Sequence, residues 1–336
     1  MNEVHFVRPA SADDPAQPSG GNAYDRRLAA ELRAAGWVVT EVPIGGGWPA
    51  PDAAAEGELA QRLAAIPAGA LVLVDGLLAA PAVLAPEAGR LRVVPLVHLP
   101  RGDEWFPGVR AVVVTSEWSA SRLPADATVG VAVPGADPAP VAAGTASGGR
   151  LLAVGAVVPY KGQDVLLDAL ATLGDGEWHC TVAGPLDRDR GFVDGLGRRL
   201  AATGLAGRVT LTGPLTGAAL EQAYAGADLL VLPSRTEAYG MVITEALARG
   251  VPVVASAVGG VPEAMGEVDG RTPGALVPVG DPVALAAVLR RWLAEPELRA
   301  RWRATAAQRR VALPSWPVTA GRVAEVLTAV LGEVAA

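Results

Sequence analysis

Lysine is almost missing from this 336-residue chain. Lys161 is the only one, and every other member of its 28 basic residues is an arginine. Cysteine is as scarce: Cys180 stands alone, which excludes a disulfide framework and a multi-cysteine zinc site. Basic blocks are missing too. With a net charge of -7 the chain is not expected to bind nucleic acid. The opening Met1-Asn2-Glu3-Val4-His5-Phe6 has neither the basic start nor the long apolar run of a signal peptide, so a cytoplasmic location is expected. A mean hydropathy of +0.31 invites a membrane reading. However, the most apolar stretch, Leu63 to Pro86, contains Asp75 and three prolines, Pro67, Pro81 and Pro86. No window supplies the roughly 20 clean apolar residues that a span needs. Peripheral contact with a membrane surface stays open.

What is abundant is alanine, roughly a fifth of the chain, within a hydrophobic fraction of 51%. Such drift explains why lysine is rare but not where the remaining one stands. Short β-branched runs alternate with alanine- and leucine-rich stretches of helical period. Val4–Val7, Trp37–Val42, Leu71–Val74, Val93–Val97 and Ala111–Val114 read as strands, with a helix over Tyr24–Ala35. Pro138 to Arg150 is rich in proline, glycine and serine and reads as an interdomain linker. Alternation then restarts with Leu151–Val154, a helix from Gln163 to Leu173, and strands at Trp178–Val182, Val209–Leu211, Leu229–Leu232 and Pro252–Ala255. From Pro282 the chain reads as helical, divided by Pro296 and Pro314. Two doubly wound α/β domains with parallel sheets are expected, over residues 1–140 and 148–315.

Ligands of open α/β sheets sit beyond the carboxyl ends of strands. The first loop there carries Gly20 and Gly21 before a helix, where backbone N–H groups can approach an anion. A dinucleotide fingerprint is not present: Gly195-Leu196-Gly197-Arg198-Arg199-Leu200 lacks the third glycine and lies in a helical stretch. In the second half, Gly155 to Gly162 leaves a strand and enters a helix, and it holds Lys161. An ammonium on a flexible stem is not equivalent to a guanidinium fork. The densest segment runs from Pro233 to Val254. Glu237 lies in a loop, a helix begins near Gly240, and Glu245 follows in that helix. Carboxylates read sugar hydroxyls, and the N–H groups of Ala238, Tyr239, Gly240 and Met241 read phosphate. Together they suit a nucleotide-sugar. Asp187-Arg188-Asp189 looks like a metal motif but has no second ligand near it in sequence and reads as a charge cluster at a helix start. The arginines from Arg290 to Arg310 read as solvated helix faces. Trp48 and Trp105 follow strands at the ligand edge and are candidates for an acceptor pocket. Indoles folded onto the protein are the competing reading.

The Pro233–Val254 segment resembles the Glu-x7-Glu signature of retaining glycosyltransferases of family 4, with Glu237 and Glu245 as the pair. Lys161-Gly162 stands where that family has its phosphate-binding Lys-Gly, and Gly259-Gly260-Val261-Pro262-Glu263 is similar to its later Gly-Gly-x-Pro-Glu. Gly20-Gly21, Ser116-Glu117-Trp118 and Pro134-Gly135-Ala136-Asp137 give a thinner likeness in the first half. The resemblance implies the GT-B fold: two Rossmann-like doubly wound parallel-sheet domains with an interdomain cleft, and a last helix (316–336) returning to the first domain. It implies transfer of a hexosyl-type group from a UDP-, GDP- or dTDP-sugar to a small-molecule or glycan acceptor, with retention, no metal and no further cofactor. Lys161 would hold the leaving diphosphate, Glu245 the ribose, Glu237 the sugar near its anomeric carbon, and His98 the C6 side of that sugar. Two departures stand out. The family's arginine after Gly155 is Ala156, with Arg235 a candidate substitute, and its glycine after the first glutamate is Ala238. A nucleotide-sugar epimerase of the same fold and a non-catalytic nucleotide-sugar binding protein are the alternatives.

Overall fold

The computed structural model describes residues 2–14, 17–48, 50–79, 84–100, 108–125 and 127–332. The chain forms two units. Met1–Asp14, Ser19–Gly135 and Pro314–Ala336 make the first, and Pro15–Pro18 with Ala136–Leu313 make the second. The crossing falls between Gly135 and Ala136, so the Pro138–Arg150 stretch expected as a linker lies inside the second unit.

The first unit is a six-stranded parallel sheet in the order β2-β1-β3-β4-β5-β6. Its strands are β1 (Glu3–Pro9), β2 (Val38–Ile44), β3 (Leu71–Asp75), β4 (Arg92–Val97), β5 (Val112–Val114) and β6 (Val129–Val131). The apolar runs predicted most of these. β6 was not expected, because Val129-Gly130-Val131 is too short and too glycine-broken to stand out. α1 (Gly20–Ala34) starts four residues earlier than the periodicity suggests, because Ser19 caps it by accepting the Asn22 N–H. α2 (Ala53–Ala64), capped by Asp52, sits in alanine-rich sequence without a marked pattern. A short α3 (Glu117–Ala120) follows Ser116, its cap. Leu59, Leu63, Val72, Val74, Leu78 and Val114 form the core beneath the sheet. The C-terminal helix (Trp316–Gly332) belongs to this unit, and the Trp316 ring meets Tyr24 of α1 edge-on at 5.6 Å.

The second unit is a six-stranded parallel sheet in the order β12-β11-β10-β7-β8-β9. The strands are β7 (Arg150–Val154), β8 (His179–Ala183), β9 (Val209–Gly213), β10 (Leu229–Leu232), β11 (Val253–Ser256) and β12 (Gly274–Val277). Its helices are α4 (Gln163–Leu170), α5 (Arg190–Ala202), α6 (Gly217–Ala225), α7 (Met241–Leu247), α8 (Val261–Met265), α9 (Pro282–Ala294) and α10 (Pro296–Val311). Asp189, from the charge cluster read in sequence, caps α5 by accepting the Phe192 N–H at 2.9 Å. Trp178, Trp292, Leu166, Leu170 and Leu289 lead a core on one face of the sheet, where Leu151, Cys180, Val209 and Leu229 lie in register. Cys180 is enclosed there, and desolvation pushes its thiol pKa up to about 12, so it stays an inert thiol.

Of the arginines expected on solvated faces, Arg290, Arg291 and Arg301 are exposed, whereas four others are drawn into the structure. Arg299 is buried and donates to the carbonyls of Trp292, Leu293 and Ala146. Arg309 donates to Met265 O, and Arg310 to Ala248 O and Ala139 O. Arg303 pairs with Asp228 at 2.7 Å. These side chains donate to carbonyls at loop and helix ends, a use that residue type alone does not announce. Asp228 is the hub: it is fully buried, and it also accepts from the Arg150 N–H at 2.9 Å and from both the N–H and the hydroxyl of Thr145. Asp228→Ala leaves Arg303 and two amides without their acceptor. It should lower the stability of this unit by ~3 kcal/mol, read as a shifted urea midpoint. An unchanged midpoint would show the network to be dispensable.

Candidate active site

Strand order in the second sheet reverses between β7 and β10, where adjacent chain crossings leave on opposite faces and open a crevice at the carboxyl edge. The loop after β7 holds Lys161, and the loop after β10 holds Glu237. Glycine alone allows their approach. Gly162 has φ +71°, and a Cβ on it would lie 2.0 Å from the Pro233 carbonyl oxygen. Gly259 has φ +57°, and a Cβ there would lie 1.7 Å from the Glu237 carbonyl oxygen. Three loops are thus stacked backbone on backbone. The Arg235 N–H donates to Tyr160 O at 2.8 Å. Its guanidinium forks onto both Asp164 oxygens at 2.7 and 2.8 Å and onto Pro159 O at 2.7 Å. Partial burial opposes the Asp164 charge, but the fork outweighs it and holds that carboxyl below its ordinary pKa. Arg235 therefore pins the lysine loop through its neighbours. It does not take the place of the arginine replaced by Ala156, which is buried and apolar.

Within this frame Lys161 Nζ donates to Glu237 Oε1 at 2.6 Å, and Ser234 Oγ donates to the same oxygen at 2.9 Å. The side chains are 22% and 9% exposed, so the ion pair is largely sheltered but reachable. Ala238 is partly exposed and does not occupy a positive φ, so alanine fits where the family has glycine. Tyr239 is 4% exposed, its hydroxyl pKa pushed up to about 12 by burial and then by Glu263, so its ring anchors the loop. Gly240 precedes α7, and Met241 begins it. Glu245 lies one turn further and accepts from the Tyr224 hydroxyl at 2.6 Å. Arg249 donates to Glu245 O at 2.7 Å and stacks on the Tyr224 ring with 4.8 Å to its centroid. Desolvation raises the Glu245 pKa despite the opposing Tyr224 hydrogen bond and Arg249 charge. Ser234, Tyr224, Arg249 and Asp164 were not singled out as site residues from sequence. Tyr224 had a signal, since it lies in the Tyr-Ala-Gly-Ala-Asp run leading into β10.

The first unit gathers a separate group. Gly20 and Gly21 open α1, and His98 follows β4. A Cβ on Gly21 would come 3.3 Å from His98 Cδ2, so the glycine turn and the imidazole are packed together. His98 Nε2 is 2.9 Å from Asp25 Oδ1 and 3.8 Å from Asp75 Oδ2. Among the described residues this is where three ionisable donors converge, all within 4.8 Å. The 2.9 Å contact is a hydrogen bond with a proton between the atoms. Neither aspartate was anticipated, although Asp75 ending an entirely buried apolar strand is a visible anomaly. Trp48 proves to be packed. It lies against the core of this unit, and its indole N–H donates to Gly45 O at 2.7 Å, which favours the folded-down reading over an acceptor pocket. Trp105 lies outside the described residues.

Residues 147–309 match the family model described as Glycosyl transferases group 1. Curated relatives include a D-inositol 3-phosphate glycosyltransferase of Streptomyces avermitilis, 37% identical over 187 residues, covering 54% of this chain and 39% of the relative. The enzyme of the same name from Thermomonospora curvata is 38% identical over 185 residues, covering 53% and 42%. The alignments thus span about two fifths of these relatives' length. Among solved structures, sucrose-phosphate synthase of Thermosynechococcus elongatus aligns with TM-score 0.80 at 21% identity, covering 99% of this chain and 100% of that one. Anabaena HepE in complex with UDP and glucose gives TM-score 0.76 at 19% identity, covering 98% and 100%. The fold is therefore that of GT-B glycosyltransferases, with two six-stranded Rossmann-like units, and the sequence likeness to group 1 glycosyltransferases is carried by the second unit.

Gly259→Ala tests the stacked loops. Gly204→Ala is the control, because Gly204 also has a positive φ but open space around its Cβ position. The control should lose ~1 kcal/mol from backbone strain alone. Gly259→Ala should lose more in a urea titration and displace the Glu237 loop, and equal losses would deny the contact its importance.

Proposed function

We propose that the chain transfers a sugar from a nucleoside-diphosphate sugar to an acceptor hydroxyl, with retention at the anomeric carbon and without a metal. The observation that carries this is the Lys161–Glu237 pair at 2.6 Å, one loop on each side of the β7/β10 switch point, with Glu245 following in α7. The group 1 match over residues 147–309 supports the same reading, because it spans all three residues.

The chemistry follows from charge. As the C1–O bond to the diphosphate breaks, negative charge grows on the leaving oxygens, and the acceptor oxygen forms the new bond to C1. Its proton passes to an oxygen of the departing diphosphate. Lys161 supplies the compensating cation, and the N–H groups around Gly240 and Met241 supply dipoles; such fixed charges are worth most where water is excluded. Lys161 exchanges Glu237 for phosphate when donor binds. That frees Glu237 Oε1 to accept from sugar hydroxyls, with Ser234 still orienting it. Glu245, steered by Tyr224 and Arg249, accepts from the ribose hydroxyls. His98 donates to a hydroxyl of the substrate. Because a relative is named for D-inositol 3-phosphate, that compound is the first acceptor to test, beside simple hexoses.

The test is a panel of UDP-, GDP- and dTDP-sugars with and without acceptors, following nucleoside diphosphate release and the stereochemistry of the product. Lys161→Met should cut release at least about 100-fold, as expected for removal of a charge that stabilises the transition state, in a variant that remains folded by circular dichroism. Glu245→Ala should mainly weaken donor binding in a thermal-shift titration, and EDTA should change nothing. Epimerised donor without diphosphate release would replace transfer by epimerisation. Donor binding without turnover across the panel would make the chain a binding protein lacking the arginine that Ala156 replaces.

A further inference from the structure

Asp25 and Asp75 have no part in the reaction as described, yet they are the two most enclosed carboxylates beside a candidate substrate-binding group. Asp25 is 0% and Asp75 1% exposed. One oxygen of each is accounted for: Asp25 Oδ1 faces His98 Nε2 at 2.9 Å, and Asp75 Oδ1 accepts the Leu77 N–H at 2.6 Å. The other oxygen of each, Oδ2, is buried with no hydrogen-bond partner among the described residues. Two neighbouring carboxylates, each with an orphaned acceptor, are what one shared proton satisfies. Two bare negative charges enclosed in the same place would be strongly unfavourable.

We propose that Asp25 and Asp75 hold one proton between them and together keep His98 as an imidazolium, with Nε2–H fixed on Asp25 and Nδ1–H turned to an oxygen of the substrate. This rests on the glycosyl-transfer reading for the identity of that substrate, but not for the state of the cluster. The charges then balance: two carboxylates, one imidazolium and one proton leave the enclosed group neutral. Among the described residues, Asp25 and Asp75 are the charged groups that act on His98. Tyr24 of α1 meets the imidazole edge-on at 5.1 Å, with its own hydroxyl donating to Ala132 O. Gly21 packs on the ring, and the Thr115 hydroxyl donates to the His98 backbone carbonyl at 3.1 Å. With Nε2 occupied, Nδ1 is the one polar atom the ring has left to offer, and the side chain retains 19% exposure. Asp25 and Asp75 are thus positioning residues that act through His98.

The electrostatics agree in direction. Burial would lower the His98 pKa, but the charge and hydrogen bond of Asp25 outweigh it and raise the net value; Asp75 adds to this only while it is ionised. Asp75 is raised well above the ordinary carboxyl range, by desolvation first and the Asp25 charge second. The sign for stability follows. What the charged His98 contributes to the fold is fully present below the ordinary imidazole pKa and is lost as pH rises through the raised one.

The experiment is an NMR titration of the three histidines of the full-length chain, with His98 assigned from a His98→Gln variant. Wild-type His98 should titrate above the ordinary value of ~6.5, and Asp25→Asn should bring it down by at least about one unit, a tenfold loss of proton affinity. Asp75→Asn replaces a protonated carboxyl by another neutral donor, so it should leave the His98 midpoint high. In the turnover assay the alkaline limb should shift down with Asp25→Asn and not with Asp75→Asn. His98 titrating at or below the ordinary value would overturn the proposal. So would an Asp25→Asn variant, folded by circular dichroism, whose midpoint does not move, or a stoichiometric divalent ion in the purified protein whose removal shifts the His98 signals. The titration needs no substrate, so a raised His98 midpoint in a chain that transfers no sugar would retire the transfer reading and leave the charge state established.

Discussion

The close approach of three backbones at the carboxyl edge of the second sheet is the constraint on which the candidate site depends. Gly162 against the Pro233 carbonyl and Gly259 against the Glu237 carbonyl leave no room for a Cβ. That distance brings a lysine from one loop within 2.6 Å of a carboxylate from another. The Arg235–Asp164 fork and the hydrogen bond from Arg235 N–H to Tyr160 O then lock the same two loops from the outside. Side-chain chemistry here is secondary to main-chain placement: the loops must touch before the ion pair can form.

The division of labour among cations follows from their shapes. Arginine forks tie carbonyls and carboxylates throughout the second unit: Arg299 at the α9–α10 junction, Arg303 on Asp228, Arg310 on Ala248 and Ala139. A planar fork with five donors holds several fixed acceptors at once and makes such ties rigid. Lys161 is different. Its ammonium has one side-chain acceptor among the described residues, on a stem that can swing, and under the proposed function it leaves that partner for an arriving phosphate. In a chain that writes every other cation as arginine, the surviving lysine stands at the carboxyl edge of the second sheet, paired with one carboxylate.

The fold was largely legible because parallel strands buried on both faces read as apolar runs, and β3, β4, β7, β10 and β11 all do. What escaped has identifiable causes. β6 and β12 are three and four residues long and include glycine, so hydrogen bonding to a neighbouring strand defines them more than their own composition. Arg299, Arg309 and Arg310 of α10 read as solvated because their acceptors are backbone carbonyls, which no side-chain pattern encodes. In the second unit the candidate residues Lys161, Glu237 and Glu245 were marked by their loops and spacing, and Lys161 and Glu237 do meet. Ser234, Tyr224 and Arg249 were not, because they act by touching those residues from other turns and elements. Trp48 was ambiguous in principle: the same indole serves a pocket or a core margin, and only the acceptor of its N–H, Gly45 O, decides between them.

Both units treat buried charge in the same manner, and this bears on how a ligand would be received. In the second, the sheltered Lys161 cation is already balanced by Glu237 before any ligand arrives. In the first, the proposed shared proton of Asp25 and Asp75 and the proposed imidazolium of His98 would balance in the same way. Neither group then offers a bare ion that would bind any passing counter-ion. A phosphate must displace a carboxylate at 2.6 Å to reach Lys161, and that exchange is favourable only if the displaced Glu237 finds new donors at the same time. A ligand with sugar hydroxyls next to its phosphate satisfies both demands, whereas inorganic phosphate or a free sugar satisfies one. Selectivity for the joined molecule over its parts would therefore arise from the pairing that exists in its absence.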